Sequence, residues 1–102
     1  ITGGGIRENL DRILPKDVDA RIDLGSYRLP PVFAAIRAAG QSPSELMLRT
    51  FNLGVGLAVV CRPDRTPEVL AHLSAVEEAA YVIGEIVPGT GTVQCHGAVA
   101  GL

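Results

Sequence analysis

The chain contains no tryptophan and only two tyrosines and two phenylalanines. With so few rings, the core has to be assembled from Val, Leu, Ile and Ala. Charge of one sign is missing too: 9 Lys and Arg stand against 11 Asp and Glu. No basic patch with interleaved aromatics occurs, which argues against nucleic acid as a partner. No apolar run is long enough to span a bilayer and no signal-peptide pattern opens the chain, so no membrane partner is expected. The two cysteines, Cys61 and Cys95, make neither a disulfide framework nor a metal-ligand spacing. Both sit in apolar or strand-like surroundings, which fits a reducing, cytoplasmic compartment. Repeats and low-complexity tracts are absent as well.

What is present is 102 residues, 47% of them hydrophobic, enough for one domain around one core. The first residue is Ile1 rather than methionine, so the expectation is a piece of a longer chain.

Ile6, Leu10, Ile13 and Leu14 recur at helical spacing and predict a short helix over 6–14, stopped by Pro15. VDARIDL alternates apolar and polar residues and predicts a strand over 18–24. GSYRLPP reads as an extended linker before a helix that starts at Pro31, turns Val32, Phe33, Ile36 and Ala39 inward, and closes at Gly40. Ser42, Pro43 and Glu45 have the form of a capping box ahead of the next helix. NLGVGLAVVC is apolar on both faces and predicts a central buried strand over 54–61. Thr66 and Pro67 start a helix with Val69, Leu70, Leu73 and Val76 along one side; AYVIGEIV is a strand, PGTG a turn, and TVQCHGAVA a final strand before a frayed AGL tail. The expected fold class is α+β, a mixed sheet packed with helices whose strand-helix-strand-strand portion is partly ferredoxin-like.

The first chemical candidate is the TGGG loop. Gly3, Gly4 and Gly5 lack Cβ atoms, so their backbone can approach a ligand or adopt positive φ. The helix that follows presents its first N–H groups there, and Thr2 adds a hydroxyl, a combination suited to phosphate. The spacing is neither a Walker A loop nor a dinucleotide fingerprint, and three glycines also serve a tight turn or a neighbouring backbone. Asn9 either meets a ligand or ties down the glycine loop. Arg12 pairs with an anion or makes a surface salt bridge. The second candidate is FNLGVG: Gly54 and Gly56 on one strand face, with Asn52 before them, mark close approach of either a packed helix or a ligand. Glu85, inside an apolar strand, reads as an edge or interface residue. His72 and His96 have no companions at metal-ligand spacing and read as structural or surface residues; Cys95 and His96, adjacent on a strand, point to opposite faces.

Taken together, ITGGGIRENLDRILP, RTFNLGVGLAVV and AYVIGEIVPGTG, in that order, resemble the C-terminal domain of the aminoimidazole ribonucleotide synthetases, also called phosphoribosylformylglycinamidine cyclo-ligases. IDLGSYRLPPVF and SELMLRTFN share the likeness, which runs through about residue 94. Selenophosphate synthetases, thiamine-phosphate kinases and formylglycinamide ribonucleotide amidotransferases share the architecture with less similar motifs. The resemblance implies a single truncated C-terminal domain over 1–102, inactive alone. It also implies a parent enzyme that uses ATP and Mg2+ to close the imidazole ring of formylglycinamidine ribonucleotide as a cytoplasmic homodimer. ATP would phosphorylate the formyl oxygen, the amidine nitrogen would attack the activated carbon, and phosphate would leave. ATP and Mg2+ would be bound mainly by an N-terminal domain. The family carries a histidine just before ITGGG, and many members have proline where Asp11 stands. Thr2, Gly3, Gly4, Gly5 and Asn9, with Asn52, Gly54 and Gly56, are implied as cleft residues, and no catalytic residue is assigned. The rival reading is a stand-alone ferredoxin-like binding or regulatory module, and a lesser one is a neighbouring ATP-dependent family.

Overall fold

The sheet is built around one strand, β1 (Val18–Asp23), whose alternating residues give it a dry face and a wet face. The computed structural model describes all of residues 1–102. Around β1 stand α1 (Gly5–Asp11), α2 (Pro31–Gly40), α3 (Ser44–Thr50), a 3-10 turn (Pro63–Arg65), α4 (Thr66–Ala75), β2 (Gly84–Pro88) and β3 (Val93–His96). The order across the sheet is β2-β1-β3, with β2 antiparallel and β3 parallel to β1. The fold is α+β, a mixed three-stranded sheet with four helices. No helix is long and apolar enough to cross a membrane.

On the dry face Ala20 and Ile22 pair in register with Val93 and Cys95. Ile6 and Leu10 from α1, Met47 from α3, and Leu24, Tyr27, Leu53 and Val99 from connecting segments complete the core. As expected from composition, the core is aliphatic, with Tyr27 its one aromatic. On the wet face Arg21 opposes Glu85 at 3.5 Å, so Glu85 is an exposed cross-strand partner at the β1–β2 pair. Cys95 is half-buried and His96 exposed, as strand alternation requires.

The largest departure from the sequence reading is at 54–61, which forms no strand. Leu53 and Gly54 take left-handed φ values of 53° and 96°, and this turn carries the following backbone away from the sheet. Residues 57–61 make no backbone hydrogen bond within the chain, and Leu57 is 80% exposed. The strand-helix-strand-strand portion therefore lacks its first strand, and β1 separates the two strands that PGTG joins. α4 buries none of its residues; Val69, Leu70 and Leu73 line an open apolar groove of about 600 Å³ instead.

Smaller departures have local causes. α1 ends at Asp11, leaving Ile13 exposed. In α2 only Phe33 turns toward the core, its ring tilted at 55° against that of Phe51 with 5.8 Å between centroids, while Val32, Ile36 and Ala39 face outward. The left-handed residue that closes α2 is Gln41, one past Gly40. α3 starts at Ser44 with no side-chain cap, so the capping box does not form; the Ser42 carbonyl accepts from Arg37 Nε instead. β2 begins at Gly84, four residues after the expected start. β3 ends at His96 because Gly97 turns to φ 72°. The tail folds back, with Leu102 N–H donating to the Val99 carbonyl.

Candidate functional site

The glycine run does three different jobs. Gly5 is the structural one: it is buried at φ 70°, and a Cβ there would fall 2.1 Å from the Leu48 carbonyl oxygen and 3.0 Å from that of Phe51. It lets α1 lie directly on the end of α3. Gly4 takes φ 96°, a conformation L side chains rarely adopt, and the Glu8 side chain folds over it. Gly3 is exposed, and a Cβ on it would meet nothing within 4 Å.

Asn9 holds this loop. Its Nδ2 donates to the Gly5 carbonyl at 2.8 Å and, at longer range, to those of Gly3 and Thr2, while its Oδ1 accepts from Thr2 Oγ1 at 3.2 Å. Asn9 thus ties down the loop, one of the two uses foreseen for it. Asn9→Ala is expected to cost about 1 kcal/mol and to speed amide exchange over residues 2–5, measurable by denaturant melts and hydrogen exchange. Gly5 N–H donates to the Thr2 carbonyl at 3.2 Å. The N–H groups of Gly3 and Gly4 have no acceptor within the chain.

The second stretch lies against the first. Asn52 Nδ2 donates to the Ile1 carbonyl at 3.3 Å, and the Ile1 nitrogen donates to the Gly56 carbonyl at 2.5 Å. Asn52 Oδ1 caps its own turn by accepting from Gly54 N–H at 2.9 Å. Gly54 and Gly56 do not share a strand face: both are exposed, but a Cβ on Gly54 would run into the Pro30 ring, whereas one on Gly56 would meet nothing within 4 Å. Thr2, Gly3, Gly4, Gly5 and Asn9 thus form one turn, Asn52, Gly54 and Gly56 a second, and Ile1 joins them. Arg12 makes no ion pair with any carboxylate of the chain.

Sequence reasoning missed two carboxylates. Glu8 lies beside Gly4, and its place four residues after a left-handed glycine was the available signal. Asp19, 6% exposed at the start of β1, organises the PGTG turn. Its Oδ1 accepts from Thr90 and Thr92 N–H, each at 2.8 Å, and its Oδ2 from Gln94 Nε2 at 2.8 Å. The Thr92 and Thr90 amides hold its pKa below the ordinary 3.8. Gly89 is needed because a side chain there would overlap the carboxylate. Nothing in the VDARID pattern distinguishes this aspartate from a solvated one. Burial, with the Cys95 charge second, raises the pKa of Tyr27, whose hydroxyl is enclosed without a hydrogen-bond partner.

The family model described as "AIR synthase related protein, C-terminal domain" matches residues 1–96. The chain belongs to this family. As an AIR synthase related C-terminal domain it is similar to curated proteins named phosphoribosylformylglycinamidine cyclo-ligase. That of Shouchella clausii is 43% identical over 93 residues, 91% of this chain and 27% of the relative. That of Caldanaerobacter subterraneus subsp. tengcongensis is 47% identical over 93 residues, 91% and 28% respectively. That of Pseudothermotoga lettingae is 45% identical over 89 residues, 87% and 26%. The AIR synthase related domain described here spans about a quarter of the length of these relatives.

Proposed function

We propose that residues 1–102 are the C-terminal domain of a phosphoribosylformylglycinamidine cyclo-ligase of purine biosynthesis. The full protein would use ATP to turn formylglycinamidine ribonucleotide into aminoimidazole ribonucleotide, as a cytoplasmic homo-oligomer. The supporting comparison is identity above 40% to cyclo-ligases over nine-tenths of this chain.

Within that activity, residues 2–5 supply part of the wall against which a phosphate of substrate or ATP rests. One observation carries this assignment: at Gly3 the backbone is exposed and free of side-chain cover, and its own amide and that of Gly4 have no internal acceptor. Such amides bind phosphate oxygens without needing a side chain. The Glu8 carboxylate beside Gly4 opposes a bare anion, so the loop suits a phosphate whose charge is already offset by Mg2+, as in ATP. Nowhere in the chain do three His, Cys, Asp or Glu side chains gather into an all-protein metal cage. In this reading Mg2+ and most of ATP are held outside these residues. Gly56 adds a second open stretch beside the loop, while Asn52 and Gly54 shape it from within.

Gly3→Val in the full-length protein tests the assignment. A side chain there meets open space, so stability should change by less than about 0.5 kcal/mol. ATP-dependent formation of aminoimidazole ribonucleotide should fall at least about tenfold in kcat/KM. Undiminished kcat/KM would remove the loop from the site. A wild-type protein that makes no aminoimidazole ribonucleotide would remove the activity itself.

A further inference from the structure

Glycine loses more conformational freedom on ordering than any other residue. A run of three can present its amides in one place only if it is fastened from outside. Asn9 fastens the loop from α1, the helix the loop itself begins. Ahead of the loop the fastening is Asn52. Its Nδ2 donates at 3.3 Å to the Ile1 carbonyl, which shares a peptide plane with the Thr2 N–H. Asn52 stands on a fixed base. Its Oδ1 accepts from Gly54 N–H at 2.9 Å, and its carbonyl accepts from Val55 N–H at 3.1 Å. Leu53 beside it is 1% exposed, although its φ is 53°. A bulky residue keeps left-handed backbone where its surroundings over-determine it.

We propose that Asn52 is a positioning residue for the cyclo-ligase site, acting through Ile1 on the glycine loop rather than on substrate. This rests on residues 2–5 holding a phosphate. Both polar atoms of the Asn52 side chain are engaged within the chain. One short planar group supplies an acceptor toward Gly54 and a donor toward Ile1, which neither aspartate nor serine can do in the same geometry. The side chain therefore sets the distance between a turn anchored in the core and the first peptide of the loop. A misplacement of about 1 Å at a reacting site can cost about a hundredfold in rate, so an anchor ahead of a glycine run has a large effect for a single hydrogen bond.

Asn52→Asp in the full-length protein keeps the cap on Gly54 and removes the donor to Ile1. Exchange of the Gly5 amide, which reaches back to the Thr2 carbonyl, should speed at least about tenfold, while Gly54 and the β1–β3 amides keep wild-type rates. KM for ATP or for formylglycinamidine ribonucleotide should rise about tenfold, with kcat within about twofold of wild type. A merely structural lesion would lower the active fraction, and so the apparent kcat, at unchanged KM. Adding Gly3→Val should cost no more than Gly3→Val alone, because a blocked loop gains nothing from being held. Asn52→Ser, which adds no charge and can cap the turn but falls short of Ile1, should repeat the pattern. Unchanged KM for both substrates in both variants, or unchanged exchange at Gly5, would overturn the proposal. Losses that multiply in the double variant would overturn it too, placing Asn52 on the substrate. Wild-type kcat/KM in Gly3→Val would end the phosphate reading and this proposal with it. Loss in Gly3→Val without loss in Asn52→Asp would leave that reading standing and refute the positioning role alone.

Discussion

Gly5→Ala is expected to destabilise the domain by about 3 kcal/mol, most of what a domain with so small a core can spare. Two costs add. Left-handed backbone at φ 70° costs an L-residue roughly 1–2 kcal/mol. The new Cβ also lands 2.1 Å from the Leu48 carbonyl oxygen, a backbone atom that cannot rotate away, so α1 must lift off α3. That lift uncovers Ile6 and Leu10, which belong to the core of ten buried apolar residues. Forced overpacking of this kind costs roughly 1–3 kcal/mol. Urea melts of the two proteins measure it. Gly3→Ala, two residues away in open space, is the control; equal melts for wild type and Gly5→Ala would mean that α1 does not lie on α3 as described.

Asp19→Ala is expected to cost the domain most of its cooperative melting at neutral pH. The carboxylate takes three hydrogen bonds, from Thr90, Thr92 and Gln94. Without it, two part-buried amides of the turn between β2 and β3 lose their acceptor, and the turn no longer anchors to β1. Asp19→Asn should rescue only part of this, because its one oxygen replaces two and its NH2 faces donors. The same carboxylate sets an acid limb. Its folded pKa lies below 3.8, so the folded state binds fewer protons than the unfolded state around that pH. Its contribution is therefore complete above the unfolded value and drains away as pH falls through 3.8 toward the lower folded one. Thermal melts from pH 6 down to pH 2 should show that limb in wild type and a flatter one in Asp19→Asn. Asp64 is also held low by its Arg62 partner, but the pair is exposed, and Asp64→Asn should leave the limb in place.

Much of the fold was legible because the local signals were strong. The 3.6-residue spacing of Ile6 and Leu10, the alternation in VDARID and the proline at the start of α2 each act within a few residues. The α+β class followed from them; the family likeness rested instead on the motifs ITGGGIRENLDRILP, RTFNLGVGLAVV and AYVIGEIVPGTG. What escaped depends on distant partners. Whether LAVV pairs is decided by where the Leu53–Gly54 turn sends the chain, not by its own apolar character. Whether Asp19 is a solvent-facing strand residue or the anchor of a turn is decided 71 residues away, at Thr90. For the candidate site, the glycine run was visible as three equivalent residues. Their division into a packing glycine, a left-handed turn and an open face needs the α3 carbonyls and the Glu8 side chain.

The middle position of β1 also governs how the protein is made. Both of its partners arrive late: Arg21 waits for Glu85, 64 residues further along, and β3 follows β2. At a ribosome's pace of about 5–20 residues per second, the first strand spends roughly 3–13 s with both hydrogen-bonding edges unsatisfied. Its dry residues Ala20 and Ile22 are meanwhile available to any passing chain. The sheet closes only once β2 and β3 have emerged, and the interval before that is when a chaperone would matter most.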